Sequence, residues 1–152
     1  MLYLLALLIG VVAGLRAMTA PAAIAWAAHL GWIDLSASPL AFMGYAWTPW
    51  IFTLLAVAEL VTDQLPSTPS RTVPVQFGTR IVSGALCGAC LGAATGNLVV
   101  GAICGAIGAA IGTLGGHSAR ASLAASFGKD GPAALIEDAV AIIGAVLIVM
   151  VA

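Results

Sequence analysis

Charge is what this sequence has least of. Its 152 residues include five Lys or Arg and six Asp or Glu, 7% of the chain. An ordinary soluble domain carries about 25% charged residues, and so sparse a set of charges cannot cover a water-facing surface. The net charge of −1 removes nucleic-acid binding through bulk electrostatics, so no nucleic-acid partner is expected. Cysteine and histidine are scarce too. Cys87 and Cys90 form a C-x-x-C pair, Cys104 follows, and His29 and His117 lie in other parts of the chain. A metal or redox centre needs more ligands on one face, so neither a metal nor a cofactor is expected. No glycine-rich phosphate loop adjoins the single lysine, Lys129, and no nucleophile–base pair is recognisable. The sequence therefore offers no enzyme. Short segments of alternating polar and apolar residues, the mark of a membrane β-barrel, are also missing.

What fills the chain instead is apolar sequence in long runs. Hydrophobic residues make up 62% and the mean hydropathy is +1.13. Backbone polar groups in lipid must be paired internally, which leaves helices as the spanning structure, and each crossing takes about 20 residues. The expected fold is all-α: a single transmembrane domain over residues 1–152, a bundle of about six helices near 2–17, 21–33, 40–62, 76–96, 98–114 and 132–151. The first run lacks a basic leader before Arg16, so it reads as a retained helix rather than a cleaved signal. The second, opened by Pro21, is short for a crossing and has a re-entrant loop as its alternative. Pro49 reads as a kink within the third. Residues 63–74, with three prolines, read as the main loop. Residues 117–131 read as a short surface helix followed by a turn.

Glycine recurs at regular steps. Gly84, Gly88, Gly92 and Gly96 repeat every four residues, and Gly101, Gly105, Gly108 and Gly112 alternate steps of four and three. Small residues let helices approach closely in lipid, so these segments are expected to pack as a tight hairpin around a Gly96-Asn97 turn. Such a face also leaves room for a homo-oligomer.

The few charges are unevenly placed. Six crossings put Arg16, Arg71, Arg80, Arg120 and Lys129 on one side, which the positive-inside rule makes cytoplasmic, with both termini on the other. Glu59 and Asp63 share a helix face, and Glu137 and Asp138 open the last segment. An ionisable side chain at mid-membrane costs about 2.5–3.5 kcal/mol, so such residues are candidates for a binding or translocation site. Glu59, preceded by the apolar stretch Phe52 to Ala58, is the best single candidate for handling a proton. Trp26, Trp32, Trp47 and Trp50 flank the opposite loop around Asp34, as an interfacial aromatic belt does.

Some of these residues form a recognisable pattern. The segment Gly14-Leu15-Arg16-Ala17-Met18-Thr19-Ala20-Pro21, then Ala25-Trp26-Ala27-Ala28, then Ala58-Glu59 through Asp63 to Arg71-Thr72, with the glycine hairpin and Glu137-Asp138, resembles the family DUF4126. These are small bacterial membrane proteins known as a domain of unknown function. The resemblance implies a bacterial inner-membrane protein and brings no activity with it. It places the family's polar signature on Arg16, Thr19, Glu59, Asp63, Arg71 and Arg80. The reading from sequence is thus a small transporter or channel component, with a polar site at the cytoplasmic face and an unidentified small solute or ion. The alternative is a non-transporting scaffold or assembly factor that packs through its glycine seams. Either way the lipid bilayer is the expected partner.

Overall fold

A computed structural model describes residues 1–65, 70 and 72–152. The described residues form six α-helices, one 3-10 turn and no strands. The helices are α1 (Leu2–Leu15), α2 (Thr19–His29), α3 (Thr48–Thr62), α4 (Pro74–Ala93), α5 (Leu98–Phe127) and α6 (Asp130–Val151). Two of them, α5 and α6, are long and apolar enough to cross a membrane. The helices α1, α2 and α3 contain 14, 11 and 15 residues, short of the roughly 20 that a perpendicular crossing needs.

Two boundaries and the role of Pro49 differ most from the sequence expectation, each for a local reason. The third segment begins at Thr48 rather than residue 40, because Ala41–Gly44 winds into a 3-10 turn. Pro49 then sits in the first turn of α3, where its missing N–H goes unneeded, so it starts the helix instead of kinking it. The fifth segment does not stop at residue 114. It runs unbroken to Phe127, through the stretch read as a surface helix and turn. Ala, Ser, Leu and Arg fill residues 118–126 with no proline, and α5 ends only where Gly128 adopts φ +72°, the left-handed conformation of a helix C-terminus. At about 1.5 Å per residue α5 is some 45 Å long.

The centre of the fold is a three-helix contact made through glycine. Models of an added Cβ show how close the backbones lie. At Gly88 it would sit 2.2 Å from the Gly101 carbonyl oxygen, at Gly105 2.0 Å from that of Gly84, and at Gly92 2.6 Å from that of Asn97. These contacts fix α4 and α5 as antiparallel neighbours. The other side of α5 meets α1. A Cβ at Gly108 would lie 2.0 Å from the Leu7 oxygen, and one at Gly112 2.2 Å from that of Val11, while Gly10 and Gly14 of α1 abut Gly105 and Ala109 in return. Rising residue numbers match rising ones, so α1 runs parallel to α5. The glycine seam therefore joins three helices rather than two, and Gly108 and Gly112 serve α1. Gly96 departs from the packing role given to it: a Cβ there would meet nothing within 4 Å, and it carries φ +79° in the turn between α4 and α5. Asn97 completes that turn by capping α5 through Val100 N–H.

The remaining helices complete the bundle. Trp26 of α2 donates its indole N–H to Thr53 of α3 (2.9 Å) and meets Trp50 edge-on at 5.1 Å. The start of α2 lies against Glu59, which makes α2 and α3 antiparallel. Arg120 reaches Asp130 and Glu137 across the α5–α6 turn, so α6 returns along α5. Ile9, Ile24, Met43, Cys87, Cys90, Leu91, Ala141 and Ala145 are buried between the helices. Outward-facing positions carry Ile103, Ile107, Ile111, Val140, Ile143 and Leu147, all exposed. A surface built of Ile, Leu and Val is the inverse of what water favours.

Candidate functional site

The polar part of the molecule begins where α1 stops. Leu15 is its last residue, and Arg16 leaves the helix in extended conformation (φ −140°, ψ 114°). Helix α2 starts three residues later at Thr19. A break of this kind leaves carbonyls unpaired at one helix end and N–H groups unpaired at the next. Both sets find charged side chains from elsewhere in the fold. Arg80 of α4 donates from Nη1 to the carbonyls of Gly14 (2.9 Å) and Leu15 (2.7 Å). Glu59 of α3 accepts from the backbone N–H of Ala17 and of Met18, each at 2.8 Å. A cation thus sits on the negative end of one helix dipole and an acid on the positive end of the next. Ser83 donates its hydroxyl to the Ala17 carbonyl. Thr113 bonds the Gly14 carbonyl at 3.3 Å and the Ala109 carbonyl at 2.7 Å.

Arg16 occupies the middle of the break and is fully buried, at 0% exposure. Its guanidinium lies between Asp63, which caps the end of α3, and Asp138 of α6. Nη1 donates to Asp63, Nε donates to Asp138 at 2.6 Å, and Nη2 faces Asp138 and, at 3.8 Å, Glu137. Gln64 donates to the second Asp138 oxygen at 3.3 Å. Arg80 extends the network towards Glu59 (3.6 Å) and Asp63 (3.9 Å). Arg120 joins it through Glu137 at 3.4 Å, while also holding Asp130 at 2.6 Å.

The structure thus gathers Arg16, Glu59, Asp63, Arg80, Arg120, Glu137 and Asp138, from four helices and the break, into one connected set. Thr19 does not join it: its hydroxyl is buried without a hydrogen-bond partner among the described residues. Arg71 lies outside the described residues. Glu59 has both oxygens engaged by backbone donors, which makes it a cap of α2 before anything else. Ser83, Thr113 and Gln64 were not singled out from the sequence, where nothing marks them off from other polar residues in Ala/Gly-rich helices. Asp34 stands apart in the α2–α3 connection, fully exposed. The Ser36 hydroxyl and N–H, 2.6 and 3.0 Å from its Oδ1, hold its carboxyl below the usual aspartate value. Cys87 and Cys90 are buried and Cys104 half-buried, and all three are free thiols.

Fold and site together define a small all-helical protein with an apolar exterior and an ionic network closing a helix break. The chain belongs to the family described as "Domain of unknown function (DUF4126)", whose model matches residues 3–152. No curated protein and no solved structure matches it.

Proposed function

We propose that the protein is a multi-pass component of the bacterial cytoplasmic membrane, a small transporter or channel component with both termini on the outer side. Its solute or ion pathway passes the α1–α2 break. The observation that carries the reading is Arg16, fully buried among carboxylates from α3 and α6. In lipid each ionisable group is costly, and such groups mark solute and proton pathways. Broken helices whose ends face a charged site are a recurrent way to build one. The network supplies the arrangement a pathway needs: an arginine with alternative acidic partners on two different helices, so exchange of partners would be coupled to helix movement.

The scaffold alternative is less well supported. The glycines that would serve as its docking seam meet helices of the same chain, Gly84, Gly88 and Gly92 against α5 and Gly108 and Gly112 against α1. Those seam glycines are therefore occupied within the chain.

Reconstitution in liposomes tests the reading. With a trapped pH-sensitive dye and an imposed potassium diffusion potential, the wild-type chain should pass protons, and Arg16→Lys or Asp63→Asn should reduce that flux at least tenfold while keeping the helical circular dichroism. Equal flux in well-folded variants refutes the pathway assignment. If wild-type vesicles pass no protons, the same assay with potassium and chloride decides between another ion and no transport.

A further inference from the structure

Threonines within the helices of this fold share one kind of partner. The hydroxyls of Thr53, Thr79 and Thr113 donate to the carbonyls four residues earlier, Pro49, Val75 and Ala109, at 2.7, 2.8 and 2.7 Å. Thr19 does not. Four residues before it stands Leu15, the last residue of α1, and the extended backbone at Arg16 interrupts the helix between them. The Leu15 carbonyl accepts from Arg80 instead. Thr19 is 8% exposed, and its hydroxyl has no partner among the described residues. An unpaired buried hydroxyl is costly, and folded proteins pair nearly all of theirs with protein atoms or ordered water.

Helix geometry gives the side it occupies. Trp26 faces α3, where its indole bonds Thr53. Thr19 precedes Trp26 by one heptad, which falls only about 20° from two full turns, so both lie on one face of α2. Because α3 runs antiparallel, two turns back along α2 match two turns forward from Thr53, at Leu60, beside Glu59 and one turn before Asp63. The hydrogen bonds agree with this register. Glu59 holds the amides of Ala17 and Met18, the two residues that precede Thr19. Asp63 meets both Arg16 and Arg80 at Oδ2, which leaves Oδ1 open to a further donor.

We propose that the Thr19 hydroxyl holds a water molecule between the start of α2 and the end of α3, bonded also to the Glu59–Asp63 carboxylates. Buried waters typically make about three hydrogen bonds to otherwise unpaired groups, and this corner supplies a hydroxyl and two acids. The presence of the water does not depend on transport. Its role rests on the proton pathway proposed above. The water accepts a proton from one neighbour and gives one of its own to the next, so each passage leaves it unchanged and displaces neither Arg16 nor Arg80. Thr19 is then a positioning residue of the pathway.

Thr19→Val keeps the side-chain shape and removes the hydroxyl, and the sign of its effect tests the site. Removing an orphaned buried hydroxyl stabilises a fold, whereas removing one that holds a water leaves that water short of a partner. Reversible unfolding in mixed micelles, followed by circular dichroism, should therefore give Thr19→Val a lower midpoint than wild type. A midpoint equal to or above wild type overturns the water site. A crystal structure of the wild type with ordered waters is the second measurement, and it decides even where Thr19→Val fails to fold. Water density on Thr19 Oγ1 is expected, and a hydroxyl bonded directly to protein overturns the site. Proton flux in liposomes tests the role: it should fall about fivefold in Thr19→Val, the weight of one hydrogen bond, and stay close to wild type in Thr19→Ser. Equal flux in wild type and both variants overturns the relay. A wild type that passes no protons removes the pathway reading and the relay with it, while the midpoint and the density still decide the water.

Discussion

Replacing Gly105 by alanine tests the three-helix contact at its tightest point. The added methyl would stand 2.0 Å from the Gly84 oxygen and 3.0 Å from the Gly88 Cα, both backbone atoms that no rotamer change can move. Restoring ordinary contact at 3.4 Å means parting α4 from α5 by about 1.4 Å at this level. A gap of about 0.5–1 Å already forfeits a quarter to a half of the dispersion energy of each atom pair across it. The Gly88–Gly101 and Gly92–Gly101 approaches lie on the same seam and open with it. Overpacking of this kind costs about 1–3 kcal/mol, opposed by the roughly 1 kcal/mol that alanine gains over glycine in a helix. We expect a net loss of about 2 kcal/mol for Gly105→Ala, placed towards the upper end because the obstacle is backbone. Gly115→Ala, on the same helix with nothing within 4 Å, should instead gain about 0.5–1 kcal/mol. Reversible unfolding in mixed micelles, followed by circular dichroism against the mole fraction of SDS, measures both. Opposite signs in one helix are the signature of the seam. A Gly105→Ala protein as stable as wild type, or equal losses at both positions, would refute the packing argument.

The ionic network makes its own predictions. Arg16→Met leaves Asp63, Asp138 and Glu137 without their central cation, a loss of about 3–5 kcal/mol for a broken buried pair. Adding Asp63→Asn and Asp138→Asn should recover at least half of it in the same unfolding assay, whereas losses that simply add would show the groups to be uncoupled. Glu59→Ala removes the acceptor of two backbone amides, and at about 1–3 kcal/mol for an orphaned buried group the expected cost is about 2 kcal/mol. Amide hydrogen exchange should speed up at Ala17 and Met18 before it does in α1, and unchanged exchange there argues against the capping role. Single cysteines at Gln64 and Ser118 in a cysteine-free background should react with an impermeant maleimide from one side of the membrane, and those at Ser36 and Asn97 from the other. Labelling of all four from one side eliminates six crossings.

Much of the architecture was written in local sequence, and the places where reading fell short share a cause. Apolar runs, the Gly96-Asn97 turn and the crowding of charge into a few segments are properties of neighbouring residues, and the six helices follow them closely. Gly10 and Gly14 also carried a signal, the same four-residue step as the α4 glycines, but without a partner helix in view it gave no reason to extend the seam to α1. Residues 115–127 hold two glycines and several polar side chains, which suggested a break. There His117, Ser118, Ser122 and Ser126 face outward, Arg120 turns to α6, and alanine and leucine sustain the helix. Pro49 was ambiguous because proline suits a first turn as well as a kink, and the choice was made by the 3-10 turn at Ala41–Gly44. The backbone partners of Arg80 and Glu59 were not legible, for they lie 65 and 42 residues away in sequence. No side-chain pattern encodes a carbonyl or an N–H.

Those two partners bear directly on the proposed pathway. In a broken membrane helix the exposed carbonyls and N–H groups are what meets a solute or ion, yet here Arg80 covers the carbonyls and Glu59 the amides. A passing ion must therefore displace one of them or travel beside both, and displacement is easiest where the element holding the charge is least packed. Arg80 stands on α4, locked to α5 by the glycine seam. Glu59 and Asp63 stand at the end of α3, a helix that packs chiefly on α2 and the 3-10 turn. On the proposed pathway this arrangement would be a closed state, and opening would be a movement of the α3 end that withdraws Glu59 from the α2 amides and Asp63 from Arg16 together. A disulfide or crosslink tying the end of α3 to α6 should stop flux without altering stability, while one tying α4 to α5 should leave flux untouched. The reverse result would place the moving part in the glycine seam and remove Glu59 from the mechanism.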